Sequence, residues 1–187
     1  MLAGRDMHTQ PGFSMVELMI TVAVLAIIAT IAVPSFTNMI QNARIRTAAE
    51  SIQNGLQVAR AEAVKRNTLV KFQLNADSSW VACVVANVAD NCVNDPANAD
   101  YIQGRSTAEG STADVTATVT PAGNTTVVFT GLGLTAQGSN PFTQVDVDMD
   151  PLVMDPADSI ELRILLGTGG SVRMCNPNLV AGDPRAC

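Results

Sequence analysis

The sequence predicts an α+β protein. A long N-terminal helix, membrane-spanning in its first half and amphipathic in its second, packs on a mainly antiparallel, β-sandwich-like head. Three observations carry this reading. Residues 18–43 contain no charged side chain. Apolar residues then recur every three or four positions as far as Arg66. Beyond Asn67 the pattern changes to short strand-like runs separated by turn-forming residues. The division that follows is a leader at residues 1–12, a helix at 13–66 with its span at about 15–38, and a head at 67–187.

The uncharged segment is built on the run from Leu18 to Val33. A helix rises 1.5 Å per residue, so about 20 apolar residues cross a bilayer core. The stretch from Phe13 to residue 40 is long enough. A buried soluble helix would show a polar face, and this run shows none. A secretory signal would place small residues for cleavage after the apolar run. Here the run passes directly into the amphipathic pattern. The distinctive residues lie before it, in Gly12-Phe13-Ser14-Met15-Val16-Glu17. A cut after Gly12 removes a short hydrophilic leader and leaves the apolar segment attached as an anchor.

These residues resemble the type IV pilin superfamily, which includes pilus major and minor pilins and type II secretion pseudopilins. Its signature is a Gly–Phe junction, a glutamate as fifth residue after the cut, and an apolar helix. Gly12, Phe13 and Glu17 match it. The resemblance implies cleavage between Gly12 and Phe13 by a prepilin peptidase, with N-methylation of Phe13. It also implies that Glu17 pairs with the N-terminal amine of a neighbouring subunit in the filament. A carboxylate at the edge of hydrocarbon costs a few kcal/mol without such a partner. Ser14 to Glu17 also fits the S-x-x-E capping box, which would assign Glu17 to a backbone N–H at the helix start. Pro34 removes one helical hydrogen bond and favours a kink, after which the helix resumes.

From residue 36 to 66 the apolar stripe is Ile45, Ala48, Ala49, Ile52, Leu56, Ala59 and Ala63. Arg44, Arg46, Glu50, Arg60, Lys65 and Arg66 occupy the other side. Gly55 weakens the helix by about 1 kcal/mol relative to alanine and marks a point of close packing. Seven strand-like runs follow, at 69–74, 80–85, 115–119, 125–130, 144–149, 160–166 and 171–174. Residues 86–114 are polar and read as a long variable loop. Asp146, Asp148 and Asp150 alternate with Val145, Val147 and Met149, which is a strand with one wet face. An EF-hand would need Gly and Glu where Pro151 and Ala157 stand, so no metal is assigned there.

The four cysteines, Cys83, Cys92, Cys175 and Cys187, form an even set in a body expected outside the inner membrane. Three pairings are possible. The local one, Cys83–Cys92 and Cys175–Cys187, is favoured, each bridge contributing ~3 kcal/mol on the chain-entropy model. No pair has zinc-ligand spacing.

Composition narrows the function. Apolar residues make up 47% and charged residues 15%, which excludes a disordered chain. Aromatics are 4% and the net charge is −6, which disfavours nucleic-acid binding. Residues 1–72 carry seven basic and four acidic groups, and residues 73–187 carry four basic and thirteen acidic ones. The single histidine, His8, lies in the leader. After cleavage no histidine triad, dyad or metal site remains. Gly167 to Gly170 lacks a P-loop lysine. No enzyme activity, cofactor or metal is expected.

A narrower resemblance, to the GspH/FimT group that also contains FimU, rests on two stretches. Arg60, Glu62, Ala63 and Arg66 match its "AR-x-EA-x-x-R" helix, and Gly170, Arg173 and Cys175 its C-terminal "G-R-x-R-x-C" pattern. Some members bind DNA through the Gly-Arg-x-Arg stretch, but here Ser171 replaces the first arginine. Arg173 and Arg185 are left as candidate contacts to DNA or to a neighbouring subunit, on an acidic body. Phosphate binding scales with the charges neutralised, so DNA is the disfavoured partner. The expected role is a minor pilin that primes type IV pilus assembly or links tip subunits to the major pilin. The alternatives are a GspH-type secretion pseudopilin and a DNA-uptake pilin. The expected partners are other minor and major pilins and the prepilin peptidase. The expected location is the inner membrane with a periplasmic head, then the filament.

Overall fold

The computed structural model describes residues 12–106, 109 and 113–187. The expected leader up to residue 11, His8 included, lies outside the described residues, as does part of the 86–114 segment. The chain divides into two compact units, Met1–Thr37 and Asn38–Cys187.

One helix, α1, runs over Met15–Arg66 and passes through position 34 without a break. Ser14 caps its start: its Oγ accepts from the Glu17 N–H at 3.1 Å, and its carbonyl accepts from the Leu18 N–H at 3.1 Å. In the first unit the described apolar side chains, among them Met19, Ile20, Leu25, Ile27 and Ile28, are exposed. Two hydroxyls interrupt this apolar surface. Thr21 donates to the Leu18 carbonyl at 2.8 Å and Thr30 to the Ile27 carbonyl at 2.7 Å. Each polar group is therefore satisfied within the helix, which hydrocarbon surroundings require.

In the second unit the seven residues of the predicted stripe, Ile45 to Ala63, are all buried. They share one core with both sheets. Gly55 is where helix and sheet come closest. A Cβ there would stand 2.8 Å from Phe72 Cε2 and from the Trp80 ring. Trp80 stacks on Phe72 with centroids 5.4 Å apart and donates its indole N–H to Ser51 Oγ at 2.9 Å. The polar edge of the buried indole is thus paired. The helix ends in a Schellman motif on Asn67, at φ 49°, with Thr68 N–H to the Ala63 carbonyl and Asn67 N–H to the Val64 carbonyl.

Eight strands follow: β1 Leu69–Leu74, β2 Trp80–Val85, β3 Tyr101–Arg105, β4 Val115–Thr120, β5 Thr126–Phe129, β6 Gln144–Met149, β7 Leu162–Leu166 and β8 Val172–Cys175. They form two four-stranded antiparallel sheets, ordered β3-β2-β1-β5 and β4-β6-β7-β8. In the second sheet burial alternates strictly along β6 and β7, with Val145, Val147, Ile164 and Leu166 inward. Asp146 faces the other way, opposite Arg163.

The structure corrects the reading of residues 86–114 as one variable loop. β3 lies within it and pairs with β2. As an edge strand with no buried residue it shows no alternation to read. The start of the same segment covers the outer face of the first sheet. Val88 and Cys92, with Leu69, pack on Cys83, Val85, Val128 and Ala136, forming a second apolar cluster. Lys71 lies on that covered face and is only 5% exposed. Its ammonium donates to the Asp90 carbonyl.

Candidate functional site

Two regions hold the residues singled out by sequence, one in each unit. In the first unit Gly12, Phe13 and Ser14 precede the helix in irregular backbone. Phe13 is 87% exposed, and among the described residues no atom beyond the adjoining ones lies within 4 Å of where a Gly12 Cβ would stand. The Gly12–Phe13 bond is therefore open to approach. Glu17 supplies its backbone N–H to the cap, but its carboxylate makes no hydrogen bond or ion pair among the described residues. The reciprocal half of a capping box is absent there, which leaves the acidic group at the positive end of the helix dipole.

The second region lies at the C-terminal end of α1. Arg60 Nε donates to the Gly133 carbonyl at 2.9 Å, and its Nη2 to the Gly169 carbonyl at 3.3 Å. One side chain thus ties the helix to the loop after β5 and to the β7–β8 turn. Gly170 sits at φ +73°, and a Cβ on it would fall 2.2 Å from the Gly133 carbonyl oxygen and 3.1 Å from Arg60 Nε. Arg60 and Gly170, read in two separate sequence stretches, are therefore neighbours. Their third partner, Gly133, belongs to a Gly-Leu-Gly turn at residues 131–133, and no sequence signal marked it as a site residue. Glu62 does not join them. It pairs with Lys65 at 2.9 Å and Arg66 at 2.6 Å, and these hydrogen bonds hold its pKa below the usual carboxylate value.

Beside this junction is a surface cleft of about 640 Å³, lined by Arg60, Ala61, Val64, Lys65, Ser171 and Val172 among others. Its lining is mostly apolar and includes the cationic side chains of Arg60 and Lys65.

The two candidate DNA contacts lie elsewhere and are engaged locally. Arg173 Nη2 donates to the Cys187 carbonyl at 3.5 Å. Arg185 directs Nε and Nη2 to the two carboxylate oxygens of Asp183, at 3.1 and 2.9 Å. Arg185 accordingly holds the Asp183 carboxyl down at about 2. The cysteines form Cys83–Cys92 and Cys175–Cys187. The first secures the segment over Lys71 and the second ties the C-terminal tail to β8. Asp146 meets Arg163 at 2.6 Å and Asp148 accepts from the Ser159 hydroxyl. No His, Cys, Asp and Glu group suited to a metal occurs among the described residues.

An apolar helix behind a Gly–Phe junction, running on into the core of a two-sheet head, defines a pilin-type subunit. Residues 48–185 match the family model described as type II transport protein GspH, and residues 7–33 match the prokaryotic N-terminal methylation motif. The chain belongs to the GspH family, within the type IV pilin superfamily. Two crystal structures of the type IV minor pilin FimU from Pseudomonas aeruginosa are similar to it. One is 17% identical, with 71% of this chain and 97% of that chain covered; the other is 18% identical, with 72% and 92% covered. The TM-score is 0.46 for each. Family model and methylation motif together make the protein a pilin-type subunit of the GspH family. Its family and fold are those of structural subunits rather than enzymes.

Proposed function

We propose that this chain is a minor pilin of a type IV pilus, which primes assembly or links tip subunits to the major pilin. The observation that carries the reading is the first unit. An exposed Gly12–Phe13 bond stands before an outward-facing apolar helix, with a Glu17 carboxylate at its start that has no partner among the described residues. Prepilin peptidase cuts that bond, and the new Phe13 amine is methylated. The helix holds the protein in the inner membrane, with the head in the periplasm, until assembly. In the filament Glu17 meets the Phe13 amine of a neighbour. Pro34 provides a point of bending between span and head. The work is non-covalent, through helix packing and complementary head surfaces.

One observation favours a second reading. The family model spanning residues 48–185 is that of a type II transport protein, which supports a secretion pseudopilin of the GspH type. DNA uptake has weaker support, because Arg173 and Arg185 are occupied by partners on the same chain. A clean deletion strain separates these roles. Loss of surface pili, restored by the wild-type chain, is expected for the minor pilin. Normal pili with a secretion defect would transfer the assignment to the pseudopilin, and normal pili with a transformation defect to DNA uptake.

A further inference from the structure

The cleft at the end of α1 carries charge of the opposite sign to the rest of the head. Arg60 binds two backbone carbonyls and has no carboxylate partner among the described residues. Lys65 and Arg66 share the single carboxylate of Glu62. At the end of α1 these three cations stand against the carboxylate of Glu62, and two of them, Arg60 and Lys65, line the cleft, whereas residues 73–187 hold thirteen acidic and four basic groups. Between the cations the surface is apolar. Val64 is 51% exposed, and Ala61 and Val172 line the cleft beside it. The backbone forming the walls is held in place. Arg60 ties down both loops, and Gly170 stands too close to the Gly133 carbonyl to admit a side chain of its own.

We propose that this cleft receives an acidic, apolar-tipped segment from the head of an adjoining pilin subunit. This inference rests on the chain being a filament subunit. The apolar tip covers Val64 and Val172, while flanking carboxylates meet Lys65 and the free face of Arg60. The occupant's charge follows from the local excess of cations, and its tip from the exposed aliphatic surface between them. A phosphate-rich partner would match the charge but leave the apolar floor uncovered; a lipid tail would match the floor but not the rim. Contact of one head's cleft with a different surface on the next is heterologous, the kind of contact that propagates along a filament rather than closing a ring.

The test places a photoreactive benzoylphenylalanine at Ala61, which is exposed and lines the cleft. The full-length chain is irradiated in intact filaments on its own cells. Crosslinked peptides are then identified by mass spectrometry. The expected product joins residue 61 to another pilin's head, at a segment with two or more carboxylates flanking an aliphatic side chain. Lys65→Glu should lower its yield about three- to five-fold, the effect of one rim charge. A reversed charge in the partner segment should restore it. Crosslinks to lipid, to DNA, to a neutral or basic segment or to a second copy of this chain would overturn the proposal, as would none from a chain recovered in filaments. Absence of the wild-type chain from filaments would instead remove the parent reading, and this one with it.

Discussion

Arg60 donates from Nε to the carbonyl of Gly133, a residue 73 positions away, at 2.9 Å. The bond passes the backbone of Gly170, which leaves no room for a Cβ on that side. Gly170→Ala therefore carries two costs, a positive φ and a backbone overlap, together about 1–3 kcal/mol. The melting temperature of the full chain in detergent should fall by about 2–4 °C per kcal/mol lost. An unchanged melting temperature would show that the three-way junction adds nothing to the fold.

The Trp80–Ser51 bond is buried, so removing one partner leaves the other unsatisfied. Ser51→Ala should destabilise the head by about 1–3 kcal/mol. Gly55→Ala sets two effects against each other. Helix propensity favours alanine by about 1 kcal/mol, while overpacking against Trp80 and Phe72 costs about 1–3 kcal/mol. A net loss is expected in denaturant unfolding, with red-shifted Trp80 emission as the indole is displaced.

The Cys83–Cys92 bridge secures the segment that buries Lys71. Replacing both cysteines by serine should cost ~3 kcal/mol on the loop-entropy model. It should also make Lys71 reactive toward an amine-acylating reagent, read by mass spectrometry against the intact protein. Continued protection of Lys71 would mean that packing of Val88 and the Asp90 carbonyl suffice without the bridge.

Glu161 supplies a pH dependence. Desolvation by burial, then the nearby Asp146 charge, raises its pKa above the usual value. Arg163 lies 3.5 Å from it and acts the other way, but its nearer partner is Asp146 at 2.6 Å. A carboxyl with a raised folded-state pKa binds its proton more tightly when folded. Its contribution is therefore fully present below the unfolded value of 4.5 and lost as pH rises through the raised folded value. Glu161→Gln should remove this part of the fall in stability, measured by unfolding at several pH values. An identical slope in both proteins would assign it to other groups.

Glu17→Ala should leave leader cleavage intact, because the Ser14 cap uses only the backbone of residue 17. Incorporation into filaments should fall sharply. Immunoblots of sheared filaments and of membranes would separate the two steps. Wild-type incorporation would reject a pairing with the neighbouring amine.

Periodicity in the sequence determined the parts of this protein whose burial is one-sided and local. The uncharged run specified the apolar helix, the three-four spacing named all seven core residues from Ile45 to Ala63, and the alternation around Asp146 and Asp148 specified β6. Tertiary structure alone decided β3, the burial of Lys71, the seating of Trp80 on Gly55 and the meeting of Arg60, Gly133 and Gly170. Lys71 is covered not by its neighbours in sequence but by a segment some twenty residues later. Side-chain periodicity records which way a residue points within its own element. It does not record what another element brings to that place, and each of these features depends on such a distant partner.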